Sequence, residues 1–195
     1  VWLSLRGPQF SPPPGMPVHD TNVLAELPAS FRAWLREAGV PEGVYALENP
    51  PPRYVRVNPR RFPGETPWQE VVEAVARDVK GVRVPWITGF VALPHDAPLS
   101  SEPKYRSGEV YGLDASSGAA VAALECQPGD FVLDLCCAPG GKLCALADTT
   151  GPTGLVVGVD IAQARLAACR TVADKYGVTN ALLVLGDGRA WAPTW

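Results

Sequence analysis

Histidine is almost absent from this sequence: His19 and His95 are the only two among 195 residues. The five cysteines (Cys126, Cys136, Cys137, Cys144 and Cys169) contain no Cys-x-x-Cys pair. A metal site of the zinc type needs Cys and His clustered at short fixed spacings, so no metal is expected. The cysteine count is odd and the thiols sit in apolar stretches. Both features argue against a disulfide framework and for an intracellular, reducing compartment. Long hydrophobic runs are missing too. A membrane helix needs roughly 18 to 20 apolar residues, whereas runs such as Leu155–Val159 are strand-sized, so no membrane partner is expected. Nor is there an excess of positive charge. Seventeen Lys and Arg against 20 Asp and Glu leave −3, which excludes a basic, non-specific nucleic-acid coat. What is present is 47% hydrophobic and 19% charged residues, too apolar for a disordered chain and enough for one good core. Val1 in place of Met, and Trp195 just after Pro193, read as interior points of a longer chain, so a targeting peptide is left undetermined.

Proline and charge divide the sequence at the same place. Seventeen of the 21 prolines precede Asp114, and only Pro128, Pro139, Pro152 and Pro193 follow it. Residues 1–113 carry 12 basic and 12 acidic side chains, while residues 114–195 carry 5 and 8, which accounts for the whole −3. Three segments follow: a proline-rich irregular arm over 1–27, a small N-terminal α+β module over 28–113, and an α/β part over 114–195. In the module, Phe31, Trp34, Leu35 and Ala38 fall at helical spacing and predict a short amphipathic helix stopped at Gly39. Residues 54–58 alternate as a strand. Thr66, Pro67 and Gln69 give an N-cap, a first-turn proline and a capping-box partner for a helix to about Lys80, whose buried face is Val71, Val72, Val75 and Val79. Trp34, Trp68 and Trp86 read as core residues.

The second part changes rhythm. Ser116–Glu125 reads as a helix leading into a strand over Phe131–Cys136, followed by a glycine turn and a helix opening at Lys142–Ala147. Leu155–Asp160 is a second strand, Ala162–Tyr176 a second helix and Ala181–Leu185 a third strand. Strand and helix alternate with short loops, the signature of βαβ units and a parallel sheet.

In such a sheet ligands bind at the carboxyl ends of the strands. Gly140-Gly141 allows close backbone approach there. The turn lacks the spacing of GxGxxG, and Gly-Gly-Lys-Leu lacks both the upstream glycine and the Ser or Thr of a P-loop. A nucleotide-like ligand without phosphates therefore fits best. Asp160, ending the second strand, suits a ribose diol, and Asp187 after the third suits an adenine edge. Taken singly, Asp160 also reads as a helix cap and Asp187-Gly188 as a plain turn. Three strand ends in order, bearing a glycine turn and two acids, suit S-adenosyl-L-methionine.

The run DLCCAPGGK, followed by VVGVDIAQARL and LGDGR, resembles the Sun-type (Nop/Sun, Fmu) RNA (cytosine-5)-methyltransferases, whose first motif is typically D-x-C-A-A-P-G-G-K. Upstream, Tyr105-Arg106-Ser107-Gly108 and Asp114-Ala115-Ser116-Ser117 are similar to the segment before the family's sheet. Residues 52–58 resemble its R-x-N signature. The resemblance implies a Rossmann-like S-adenosylmethionine-dependent methyltransferase fold, here reaching the third of about seven strands, behind the α+β module. It implies that Cys136, Cys137, Ala138, Pro139, Gly140, Gly141 and Lys142 form the methionine-side loop of the cofactor site. Asp160 would hold the ribose, Asp187 the adenine, and Arg165 matches a frequent family position. Cys137 departs from the usual Ala, and Leu113 stands where many members have Gln.

The activity implied is methylation of carbon 5 of a cytosine in structured ribosomal or transfer RNA. Carbon 5 is a weak nucleophile. In the family a cysteine thiolate adds to carbon 6 while an aspartate supports N3, which gives carbon 5 enamine character for attack on the methyl group. Both residues lie in motifs after the third strand, so the nucleophile is expected after Trp195 and the given chain alone is expected to be inactive. Cys136 reads as a packed small residue, and Lys142 as a candidate for orienting the substrate base. For RNA contact, Arg53, Tyr54, Arg56, Arg60 and Arg61 form the dense basic cluster, set against a solvated loop with a core Tyr. The near-neutral charge leaves room for a protein partner in RNA recognition. Two other functions compete: an idle relative acting as an RNA-binding or ribosome-assembly factor, and a small-molecule methyltransferase on the same fold.

Overall fold

The computed structural model describes residues 28–39 and 51–191. The arm expected over 1–27 lies outside the described residues. Chain contacts separate two units, Val1–Pro51 and Pro52–Trp195. In the first, helix α1 (Ala29–Glu37) ends before Gly39, whose φ is +68°. Of its expected apolar face only Leu35 is buried. Trp34 is 54% exposed, its ring stacked on Phe31 at 5.6 Å.

The second unit holds two sheets. The first is antiparallel, in the order β2-β3-β1-β4, and comprises β1 (Arg53–Val57), β2 (Val82–Arg83), β3 (Phe90–Leu93) and β4 (Val110–Gly112). Helix α2 (Trp68–Asp78) follows β1, and the short α3 (Pro103–Arg106) precedes β4. The expected cap is displaced by one residue: Pro67 occupies the N-cap position and no side chain caps the helix. Val72, Val75 and Val79 of α2 are buried as expected, with Ala76 in place of the half-exposed Val71.

Period-two alternation in β1 decides what each face of this sheet meets. Val55 and Val57 point to α2 and share a cluster with Val72, Val75, Val91, Leu93 and Val110. Tyr54 and Arg56 point the other way, toward a second cluster that joins Phe90, Ala92, Tyr111 and Leu113 to Leu143, Ala147, Val156 and Cys169. That second cluster crosses Asp114, so the antiparallel sheet and the parallel sheet share one core.

The parallel sheet runs β5 (Phe131–Asp134), β6 (Leu155–Asp160), β7 (Ala181–Leu185), with α5 (Gly141–Thr150) and α6 (Gln163–Lys175) as crossovers and α4 (Ala115–Ala123) before β5. Val132 pairs with Val156, and Val156 with Ala181, on the face that joins the shared core. Phe131, Leu133 and Leu182 project from the opposite face and are 78%, 41% and 51% exposed. A parallel sheet ordinarily buries both faces; here the second face is buried only at Val157 and Val159 of the central β6 and left open at those residues of β5 and β7. Trp86, expected in the core, is also exposed, in the turn between β2 and β3. No helix among the described residues is long and apolar enough to cross a membrane.

Candidate cofactor site

The carboxyl ends of β5, β6 and β7 open onto a cleft of about 410 Å³ lined by Leu135, Cys136, Asp160, Ile161, Arg165, Asp187, Gly188 and Arg189. Strand pairing sets this geometry: Asp160 pairs with Leu185, which brings the Asp187 turn beside the end of β6. Asp160 is buried. One oxygen accepts the Ala162 N–H at 3.1 Å, and the other accepts the Ala138 N–H at 3.4 Å, so the carboxylate closes the turn that leads into α6 and ties down the loop after β5. Arg165 reaches back from α6 to donate to the Ala138 carbonyl at 3.0 Å, with its other terminal nitrogen 3.5 Å from Asp160. Asp187 is half-buried and gripped by Arg189, whose hydrogen bonds hold its carboxyl below the usual range. At Gly188 a Cβ would lie 2.7 Å from the Leu135 carbonyl, so only glycine lets the two loops approach this closely.

The loop between β5 and α5 is a partition. Cys136 lies on the cleft side and is exposed, where a packed residue was expected. Its N–H is held by Asp134, whose other oxygen is buried with no partner. Cys137, Pro139, Gly141 and Lys142 line a second cavity of about 470 Å³ on the other side, together with Arg53, Tyr54, Tyr105, Asp114 and Tyr176. Gly140 has φ +110°, and a Cβ there would meet the Cys169 sulfur at 3.0 Å, so the turn requires glycine. Leu113, at the position where many family members carry Gln, is buried against Gly141. Cys137, Cys144 and Cys169 are buried. Burial pushes the first two thiols up to about 12 and raises the third, so none is a thiolate nucleophile near neutral pH. No group of three or more His, Cys, Asp or Glu that could hold a metal ion occurs among the described residues.

The five residues expected to meet RNA do not form one stripe. Arg53 and Arg61 are exposed, donating to the carbonyls of Ala97 and Lys175. Tyr54 is half-buried at the second cavity. Arg56 and Arg60 instead turn inward to α5, where both pair with the buried Asp148, Arg56 at 3.2 Å. Tyr111 donates to the same carboxylate, and Arg60 also donates to Asn180. Burial lowers the Arg60 pKa. Asn58, fully buried, donates to the carbonyls of Gly108 and Tyr176 and accepts from the Arg60 N–H. The R-x-N pattern is therefore a knot joining the antiparallel sheet to α5 and α6. Sequence reasoning missed Asp148, Asn58 and Asn180. The available signal was a lone acid, Asp148, directly after the apolar run Leu143–Ala147.

Residues 121–194 match the family described as 16S rRNA methyltransferase RsmB/F. The chain is 32% identical over 155 residues to ribosomal RNA small subunit methyltransferase B of Pseudomonas syringae pv. tomato, covering 79% of this chain and 34% of that protein. It is 35% identical over 102 residues to the human 28S rRNA (cytosine(4447)-C(5))-methyltransferase, covering 52% of this chain and 13% of that protein. The chain thus spans about a third, or less, of the length of these curated relatives. A solved methyltransferase homolog protein from Pyrococcus horikoshii superposes with a TM-score of 0.63 at 26% identity, covering 83% of this chain and 57% of that one. The parallel sheet of this chain has the Rossmann-like methyltransferase fold, and the stretch 121–194 that forms most of it is what matches the RsmB/F methyltransferase family.

Proposed function

We propose that this chain supplies the cofactor-binding part, and an RNA-facing module, of an S-adenosylmethionine-dependent enzyme that methylates carbon 5 of a cytosine in ribosomal RNA. The observation that carries this reading is Asp160: a buried carboxylate at the mouth of an open strand-end cleft, with lone pairs left after its two backbone contacts. The names of the relatives, which are rRNA cytosine-C5 and small-subunit rRNA methyltransferases, support the substrate class.

The residues present fit the cofactor. Asp160 offers acceptors to a ribose diol. The exposed Ile161 and Leu135 give apolar surface for an adenine beside Asp187. The orphaned buried oxygen of Asp134 is an acceptor that a cationic ligand near the loop would satisfy. When bound, S-adenosylmethionine supplies an electrophilic methyl group. The chain's own residues bind and orient: Cys136 to Lys142 form the wall between the two cavities, and Lys142 stands on the far side to orient the base.

The nucleophilic cysteine and the N3-facing acid are proposed to lie outside residues 1–195. RNA contact is assigned to Arg53, Tyr54 and Arg61, while Arg56 and Arg60 hold the module to α5. Residues 52–113 and 114–195 keep separate tasks in this reading, RNA and cofactor, although they share a core.

Calorimetry with Asp160→Ala tests the proposal. The wild-type chain binds S-adenosylmethionine and the variant loses on the order of a hundredfold in affinity, the value of two buried hydrogen bonds to a charged group. Unchanged affinity would move the cofactor elsewhere.

A further inference from the structure

Three successive residues of the loop after β5 are each tied down differently. Cys136 donates its N–H to Asp134 at 3.1 Å, Cys137 to the Val159 carbonyl at 3.0 Å, and Ala138 to Asp160 at 3.4 Å. Ala138 alone is held from both sides, because its carbonyl accepts from Arg165, a residue 27 positions later on α6. The same guanidinium faces Asp160 with its other terminal nitrogen at 3.5 Å. Ala138, Asp160 and Arg165 thus close a triangle: acid to N–H, guanidinium to carbonyl, guanidinium to acid.

A surface helix charge has no reason to reach a buried backbone acceptor, yet Arg165 does so with a side chain 57% exposed. The two contacts point in different directions from a planar group. A lysine ammonium on a single stem does not reproduce that fork.

We infer that Arg165 is a positioning residue, a latch that fixes the partition loop against the end of β6 so that the cleft is formed before any ligand enters. The inference rests on the cofactor reading for its purpose but on this triangle for its existence. Arg165 acts through Ala138 and Asp160. Preforming the loop removes an ordering cost from binding. Without the latch the segment from Cys136 to Pro139 keeps only the bonds donated by its own N–H groups and opens more often.

Cys137 is a built-in reporter, since it sits between the tied residues and is 1% exposed, whereas Cys144 lies deep in α5 and is fully buried. The test is alkylation by iodoacetamide with peptide mapping, on wild type, Arg165→Ala, Arg165→Gln and Arg165→Lys. Arg165→Ala should label Cys137 on the order of tenfold faster, one charge-assisted hydrogen bond's worth of opening, with Cys144 unchanged. Arg165→Gln and Arg165→Lys, each able to restore one contact, should fall between. Calorimetry on the same proteins should show S-adenosylmethionine affinity falling in the same order. Unchanged Cys137 labelling, or equal acceleration of Cys144, would overturn the latch, the latter by showing general destabilisation. A wild-type chain that binds no S-adenosylmethionine would instead overturn the cofactor reading, while the labelling result still judges the latch.

Discussion

Two buried carboxylates, placed toward opposite ends of α5, differ in almost everything but burial. The side chain of Asp148 is 2% exposed and that of Asp160 is 3%. Asp148 is used up by side chains: Arg56, Arg60 and Tyr111, from three segments of the antiparallel module, all converge on it. Asp160 is held by two backbone N–H groups of its own loops and by one arginine that is mostly in solvent. The first arrangement is a closed knot, the second an open seat. Burial alone does not distinguish a structural acid from a binding one, whereas the kind of partner does. Side chains from remote segments saturate a group, while backbone caps hold it in place and leave lone pairs for a ligand.

The largest effect that would break this contrast is on stability. Asp148→Ala leaves two half-buried guanidinium groups without their counter-charge, and removing one partner of a buried ion pair costs about 3–5 kcal/mol. Thermal unfolding should show a large fall in Tm for Asp148→Ala and a markedly smaller one for Asp160→Ala, whose main loss is ligand affinity. Equal shifts for the two variants would erase the distinction between knot and seat.

A smaller effect separates the arginines. Each phosphate contact contributes about one unit to the slope of log K against log salt. Arg53→Ala, at an exposed position, should flatten the salt dependence of RNA binding by about that much with little change in Tm. Arg56→Ala should do the reverse, lowering Tm through the knot and leaving the slope in place. A flattened slope for Arg56→Ala at unchanged Tm would return Arg56 to the RNA surface.

The same contrast explains what was legible in the sequence. The βαβ rhythm gave β6 and β7 at their observed bounds, because buried parallel strands are short apolar runs between glycine and polar turns. The order of Asp160 and Asp187 at successive strand ends gave the cleft, since strand ends in a parallel sheet converge by topology alone, whereas Gly141 lines the cavity on the other side of the loop. The knot was not legible. Arg56 reads as one of five basic residues in a row, and only the pleat of β1 and the packing of α5 turn it inward. β2, β3 and β4 were missed as well. They are two, four and three residues long and draw their pairing from distant partners rather than from local pattern. Trp34 and Trp86 differ for the converse reason, as large apolar side chains in short segments that stay more than half exposed among the described residues.

The smallest expected effect compares the two regions through their thiols. Cys144 lies near Arg56 and Arg60 of the knot, and Cys137 near Asp160 and Cys169 at the seat. Burial pushes both up to about 12, and it is the leading cause at each. In the unfolded chain these thiols release protons from about pH 9. Between that pH and about 12 the folded state therefore binds more protons than the unfolded one, and stability falls as pH rises. Their contribution is fully present below about pH 9 and disappears toward 12, at about 1.4 kcal/mol per pH unit for each thiol. Melting temperatures from pH 8 to 10 should decline for the wild type. Cys137→Ala, which restores the residue usual in the family, should flatten part of that decline. Cys144→Ala should flatten a similar part, at the added cost of a small cavity in α5. If neither substitution changes the alkaline slope, both thiols ionise freely in the folded protein, and neither the knot nor the seat is as closed to water as its packing requires.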